Sequence, residues 1–276
     1  MKKILIPYDF TENSETSLNY GINLAKELHS EIVLVNVISY PLVTPEIGLP
    51  AFSYKDVIAD SLKELRKLAT KIAQNNSHLT KIECFAEMGD ITQTLAEYCE
   101  KHPIEFIIMG ISHQDNKLLK ALMGSNALET SRKTRCTVIV VPHAFAYKKP
   151  KAIAFASDHS DVNSPDPSLQ KAKAISNLFG AELEIIQVVG ENHHFAPSEF
   201  VVNHFFDKTH EKQEHKLVIV TEKKVSEGLL GMLNNNLVDM MIVEPKEHSV
   251  VYNLFHESVS KEVAFASPVP VILMHS

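Results

Sequence analysis

At 276 residues the chain has room for two domains of ordinary size, and its 45% hydrophobic fraction lets each half bury a core. A net charge of −7 argues against nucleic-acid binding, which shows as a basic excess. No apolar run approaches the roughly 20 residues needed to cross a bilayer.

The opening Met1-Lys2-Lys3 followed by Ile4-Leu5-Ile6 has the charge order of a secretion signal, but Pro7-Tyr8-Asp9 cuts the apolar run short of an h-region. Cys84, Cys99 and Cys136 are odd in number and lack CxxC spacing, so a reducing, cytoplasmic setting is expected. In chain order, short β-branched runs predict strands at Lys3–Pro7, Ile32–Ile38, Ile82–Ala86, Phe106–Met109 and Thr137–Val141. Four of them lack strict alternation, as strands buried on both faces do. Helical spacing joins Leu18, Ile22, Ala25 and Leu28 on one face, with a helix start at Asn13 or Ser14 followed by Glu15. Ile58, Leu62, Leu65, Ala69 and Ile72 mark a second helix. Ile91, Leu95 and Tyr98 mark a third, and Gly124 to Thr134 a fourth. Strand alternating with helix predicts an α/β fold, a parallel sheet with helices on both faces.

The pattern then starts again. Lys151–Ala156, Leu183–Val189, Leu217–Val220, Asp239–Val243 and Val269–Leu273 read as five more strands, with helices at Pro167–Phe179, Pro197–Lys212, Val225–Asn235 and Ser258–Phe265. Asp9 and Asp158 end the first strand of each half, and Cys136-Thr137-Val138-Ile139-Val140 matches Val269-Pro270-Val271-Ile272-Leu273. The expected division is two tandem domains, 1–145 and 149–276, joined through Ala144 to Pro150.

Ligands of open parallel sheets bind beyond the carboxyl ends of the strands, where strand order reverses. Those ends carry Pro7-Tyr8-Asp9, Val37, Met109-Gly110 and the stretch up to Gly124-Ser125-Asn126. A helix starting near Gly124 would offer unpaired N–H groups and a positive dipole end to an anion. The run from Lys3 to Ser14, Lys-Ile-Leu-Ile-Pro-Tyr-Asp-Phe-Thr-Glu-Asn-Ser, together with Ile108-Met109-Gly110 and Gly124-Ser125-Asn126, resembles the universal stress protein family. The resemblance covers nearly all of 1–142 and continues more weakly over 151–274. It implies an adenine nucleotide alpha-hydrolase-like sheet of order 3-2-1-4-5 and a site for ATP or AMP, with magnesium only as the companion of ATP. By resemblance, Asp9 accepts from the adenine amino group, and Pro7, Tyr8 and Val37 line the base. Met109 and Gly110 contact the nucleotide, and Gly124, Ser125 and Asn126 meet the phosphates. The family's last strands also pair, which implies that Thr137–Val141 and Val269–Leu273 make a pseudo-dimer within the chain; a homodimer is left open.

The chain departs from the family's glycine loop. His113 stands where the second glycine belongs, and ten residues, one more than the pattern, separate it from Gly124. A left-handed backbone at His113 would cost about 1–2 kcal/mol, weakening a site without abolishing it. His113 could instead donate to phosphate, helped by Lys117 and Lys120; its plainer reading is a solvated loop residue. In the second half Glu244, Glu247 and Glu257 replace Gly110, His113 and Gly124, and three carboxylates repel a polyanion.

Each feature also has a structural reading. Asp9 can cap the first helix, and Gly124-Ser125-Asn126 can be a helix start. His193, His194, His204, His210 and His215 lack metal-ligand spacing and read as solvated. GxSxG, Walker and GxGxxG motifs are all missing. The expectation is therefore a stress-response protein that binds an adenine nucleotide without catalysis, or with slow ATP hydrolysis at most. The alternatives are a nucleotide-free scaffold that engages a protein partner, and an ATP-hydrolysing enzyme.

Overall fold

The computed structural model describes residues 2–40, 53–76, 79, 81–111, 126–156, 167–189, 216–221, 225–235, 237–244 and 257–274. The chain divides into two compact units, Met1–Tyr147 and Lys148–Ser276.

In the first unit the strands are β1 (Lys3–Pro7), β2 (Glu31–Ile38), β3 (Ile82–Met88), β4 (Ile104–Gly110) and β5 (Thr137–Val141). Their order is β3-β2-β1-β4-β5, every neighbouring pair parallel. The middle strands carry the core: Ile4, Leu5, Ile6, Ile32, Val33, Leu34, Ile107 and Ile108 are fully buried. A parallel sheet covered on both faces needs apolar side chains in both directions, so these runs do not alternate.

Helix α1 (Glu12–Leu28) packs on β1 and β4. Its cap is Thr11, one turn earlier than Ser14. The Thr11 side chain accepts from Ser14 N–H while Ser14 Oγ accepts from Thr11 N–H, a reciprocal capping box. Ser14 is thus the third helical residue, because the turn after β1 is tight enough for the helix to start sooner. The buried stripe of α1 holds Ser17, Leu18, Gly21, Leu24 and Ala25, while Ile22 and Leu28 lie at its margin. Gly21 is part of that stripe because a Cβ there would come within 2.4 Å of Ile6 Cδ1. Helix α2 (Tyr54–Asn75) buries Leu65 and Ile72, α3 (Ile91–Lys101) is capped by Asp90, and α4 spans 126–133. The unit runs on to Tyr147, whose ring meets Tyr20 of α1 at 5.0 Å and whose hydroxyl donates to Glu27.

In the second unit β6 (Ala152–Ala156), β7 (Glu182–Val189), β8 (Lys216–Thr221), β9 (Met240–Val243) and β10 (Val271–Leu273) take the order β10-β9-β6-β7-β8. Numbered within the unit, that order is again 3-2-1-4-5, with parallel neighbours. Helices α5 (Pro167–Phe179), α6 (Val225–Asn234) and α7 (Glu257–Ala266) accompany it. Three strands start later than the sequence reading places them: β6 at Ala152, β9 at Met240 and β10 at Val271. Asp239 lies one residue before β9: its N–H donates to the Ala152 carbonyl at 2.9 Å, and its carboxylate accepts from Lys151 N–H at 2.8 Å and Ala152 N–H at 3.3 Å, capping the start of β6. Pro270 precedes β10 and lacks the N–H a ladder needs. Met240 and Met241 are buried in β9, as their sequence context predicts. The helix expected over 197–212 and the histidines around it lie outside the described residues.

Candidate functional site

Strand order reverses between β1 and β4, so the crevice of the first sheet opens at their carboxyl ends. Pro7 ends β1 and pairs with Val35 of β2, which places Val37 level with Asp9. Met109 and Gly110 end β4, paired with Val140 and Val141. The fold therefore brings Pro7, Tyr8, Asp9, Val37, Met109 and Gly110 to one edge of the sheet. Asn126 is partly exposed at the described start of α4. His113, Gly124 and Ser125 lie outside the described residues, as do Lys117, Lys120, Asp158 and Glu247.

The turn after β1 is held from several sides. Tyr8 N–H donates to Val35 carbonyl at 2.7 Å, and its own carbonyl accepts from Asn36 Nδ2 at 2.6 Å. Asn36 is buried, and its Oδ1 accepts from Ser61 of α2 at 3.0 Å, so one amide ties β1, β2 and α2 together. The Tyr8 ring is buried and meets Phe10 edge to face at 5.1 Å. Its hydroxyl donates to Glu15 Oε2 at 2.6 Å. Burial first, and then the Glu15 carboxylate, push the Tyr8 phenol far above its ordinary pKa, so it remains a neutral donor.

Phe10 has φ 65, the left-handed region that a bulky side chain enters at a cost, and about half of its surface is exposed. That conformation reverses the chain between the sheet edge and the Thr11 cap. Asp9 is exposed, and its Oδ1 accepts from Thr11 N–H at 3.1 Å and from Thr11 Oγ1 at 2.6 Å. No described residue hydrogen-bonds its other oxygen, Oδ2, which is turned toward neither group.

Gly110 has a clear steric cause. A Cβ built there would lie 2.4 Å from Asn13 carbonyl oxygen and 3.6 Å from Ser17 Cβ. The glycine lets the first turn of α1 sit directly against the end of β4. His143, two residues past β5, brings Nδ1 to 3.3 Å from Asn13 Oδ1 at the same edge.

Sequence reasoning missed Asn36, Ser61, Glu15 and His143. Asn36 was findable, since it is the one polar residue in the buried middle of Ile32–Ile38. A buried amide inside an apolar strand needs partners. Glu15 and His143 become visible only when the chain is folded.

In the second unit Glu244 follows β9, is buried, and accepts from Ser168 Oγ at 2.7 Å. Ser168 is the second residue of α5, as Asn13 is of α1. A carboxylate beside a helix amino end is favourable, and it places negative charge at this edge. Among the described residues no group of three or more His, Cys, Asp or Glu could hold a metal ion, and no helix is long and apolar enough to cross a membrane.

The sheet order and the reversal crevice define an open parallel α/β protein with strand order 3-2-1-4-5 in each unit. Residues 1–142 match the Universal stress protein family. A universal stress protein of Methanocaldococcus jannaschii is 32% identical over 152 residues, 54% of this chain and 84% of that protein. The chain belongs to the universal stress protein family. Its fold is similar to that of a universal stress protein from Archaeoglobus fulgidus, with a TM-score of 0.70 at 22% identity, covering 99% of this chain and 96% of that one. A functionally unknown protein from Pseudomonas aeruginosa superposes with a TM-score of 0.57 at 13% identity, covering 100% of this chain and 92% of the other.

Proposed function

We propose that this chain is a tandem universal stress protein whose first unit binds an adenine nucleotide, ATP or AMP, without catalysis or with slow hydrolysis at most, and whose second unit has lost that capacity. The observation that carries the reading is the Asp9 carboxylate. It stands exposed at the reversal crevice, held through Oδ1 by Thr11, with Oδ2 left to accept from an exocyclic amino group. Val37 and Met109 supply apolar walls at the same edge. The phosphates would fall to Gly124, Ser125 and Asn126, with His113 as a further donor. Among the described residues at this edge no side chain combines nucleophile and base in the way a catalytic site requires, and the reading is therefore binding rather than turnover.

Calorimetry with ATP, AMP and GTP on the whole chain tests this. Adenine nucleotides should release heat on wild type. GTP, whose 6-oxo group faces a carboxylate, should bind at least about 10-fold more weakly, the worth of one charge-assisted hydrogen bond. Asp9→Asn keeps an oxygen for Thr11 but presents NH2 to the base, and should narrow or invert that preference. No heat from wild type with any nucleotide at low salt ends the proposal.

A second reading, a nucleotide-free scaffold for a protein partner, is favoured by Asp9 and Gly110 each having a complete structural reason. One holds the Thr11 cap of α1, and the other admits that helix to the sheet. It expects wild type and Asp9→Asn to be alike toward every nucleotide.

A further inference from the structure

Residues 142–147, which follow β5, belong to no helix or strand, yet their side chains alternate. Ala144 and Ala146 are exposed, whereas Phe145 and Tyr147 are half-buried. Phe145 N–H donates to the Pro142 carbonyl at 3.1 Å, which turns the chain out of β5. The odd-numbered residues then meet α1 one after another. His143 Nδ1 lies 3.3 Å from Asn13 Oδ1, and the Phe145 ring lies 6.3 Å from that of Tyr20. The Tyr147 ring meets Tyr20 edge to face at 5.0 Å, and its hydroxyl donates to Glu27. Asn13, Tyr20 and Glu27 are spaced by seven residues, about two helical turns, so they form one stripe down α1. Helix α1 also packs on β5, the strand from which the segment departs. The segment is thus an extended strap laid along a helix. It starts at the carboxyl edge of the sheet and ends at Tyr147, where the first unit ends.

The upper end of that stripe is part of the candidate site. The first turn of α1 supplies Thr11, which holds Asp9, and Glu15, which holds Tyr8. It also supplies the Asn13 carbonyl that closes on Gly110. Asn13 therefore faces the site with its backbone and the strap with its side chain. Docking of the strap carries costs of its own. Ala144 has φ 54, the left-handed region that a residue with a Cβ enters unwillingly. The Tyr20 hydroxyl is buried and has no hydrogen-bond partner among the described residues. A strap held by a few side chains rather than by a backbone ladder opens at low cost.

We propose that the strap 142–147 is a latch on α1 whose docking is coupled to occupancy of the carboxyl edge by an adenine nucleotide, a coupling that rests on the nucleotide binding proposed for the first unit. A nucleotide held by Asp9 and lying against Met109 and Gly110 fixes the first turn of α1. That turn positions the Asn13 side chain that His143 meets, so the strap docks more firmly. With the edge empty, turn and strap loosen together. Such coupling is reciprocal: release of the strap weakens nucleotide binding by the same factor by which the nucleotide opposes release. The state of the edge is thereby carried along α1 to residue 147, where the chain passes to the second unit.

Limited chymotryptic cleavage of the whole chain, with and without ATP, tests the coupling, with calorimetry run beside it. Chymotrypsin takes a Phe or Tyr ring into its own pocket, so it cuts after Phe145 or Tyr147 only once the strap has left α1. Fragments beginning at Ala146 or Lys148 are told by mass from cleavage elsewhere. ATP at saturation should slow their appearance at least about 5-fold, the lower end of ordinary coupling between sites. His143→Ala should lose that protection while still binding ATP. Tyr147→Phe keeps the ring on Tyr20 but not the bond to Glu27; it should be cut faster after Phe145 and bind ATP more weakly by a similar factor. Cleavage unchanged by ATP that calorimetry shows to be bound would overturn the coupling and leave the nucleotide reading standing. So would His143→Ala protected as well as wild type, or a strap that is never cut in either state. No binding of ATP to wild type would end both.

Discussion

The first unit ends its fourth strand on Gly110 and the second follows its fourth strand with Glu244, and the strand registers put the two at the same point. Ile4 pairs with Phe106 and Ile153 with Met240, and each residue in question follows four positions later. At Gly110 the backbone of α1 closes onto the strand end, leaving no space for even a methyl group. At Glu244 a whole carboxylate fits, hydrogen-bonded to the corresponding residue of α5. One fold thus accepts opposite chemistry at one position, provided the next helix adjusts its approach. The edge of the first unit has an exposed carboxylate, Asp9, whereas that of the second has a buried one, Glu244.

The largest effect that could break this comparison is expected from Gly110→Ala. The added methyl meets a backbone oxygen, which cannot rotate away, so the cost should be about 1–3 kcal/mol, typical of overpacking. Hydrogen exchange should show lost protection in β1, β4 and the first turn of α1, with β6 and β9 unaffected. A neutral result would mean that α1 does not sit so close. Next in size is Glu244→Ala, which removes the acceptor of a hydroxyl at a helix start. The loss should be about 1–2 kcal/mol, confined to amides of the second unit in the same measurement.

The smallest effect is electrostatic and belongs to the first unit alone. Hydrogen bonds from Lys3, and then from Lys81, hold the Glu83 carboxylate down to about 2. Its folded pKa lies below the unfolded value, so the stabilisation is present above the ordinary carboxylate range and is lost as pH falls toward about 2. In acid unfolding Glu83→Gln should flatten that pH dependence, modestly, because solvent and salt screen a partly exposed pair.

Strands and their order of appearance were legible in the sequence, because strands buried on both faces leave unbroken apolar runs. Boundaries were legible only to within a few residues. The start of α1 moved to Thr11 because a reciprocal side-chain bond outcompetes the later serine. Asp239 sits just before β9, where its carboxylate accepts from two N–H groups at the start of β6, a pairing between distant parts of the chain. Asp9 could be placed at the edge from sequence, but its two readings differed in which oxygen is used for what, and that needs coordinates.

What the sequence by itself determined was the alternation of strand and helix, since it follows from local periodicity. Only the tertiary structure decided why Gly110 is a glycine and which groups hold Tyr8 and Asp9. Those are contacts between elements distant in the chain. Periodicity says which face of an element is buried, but not what the fold brings against it.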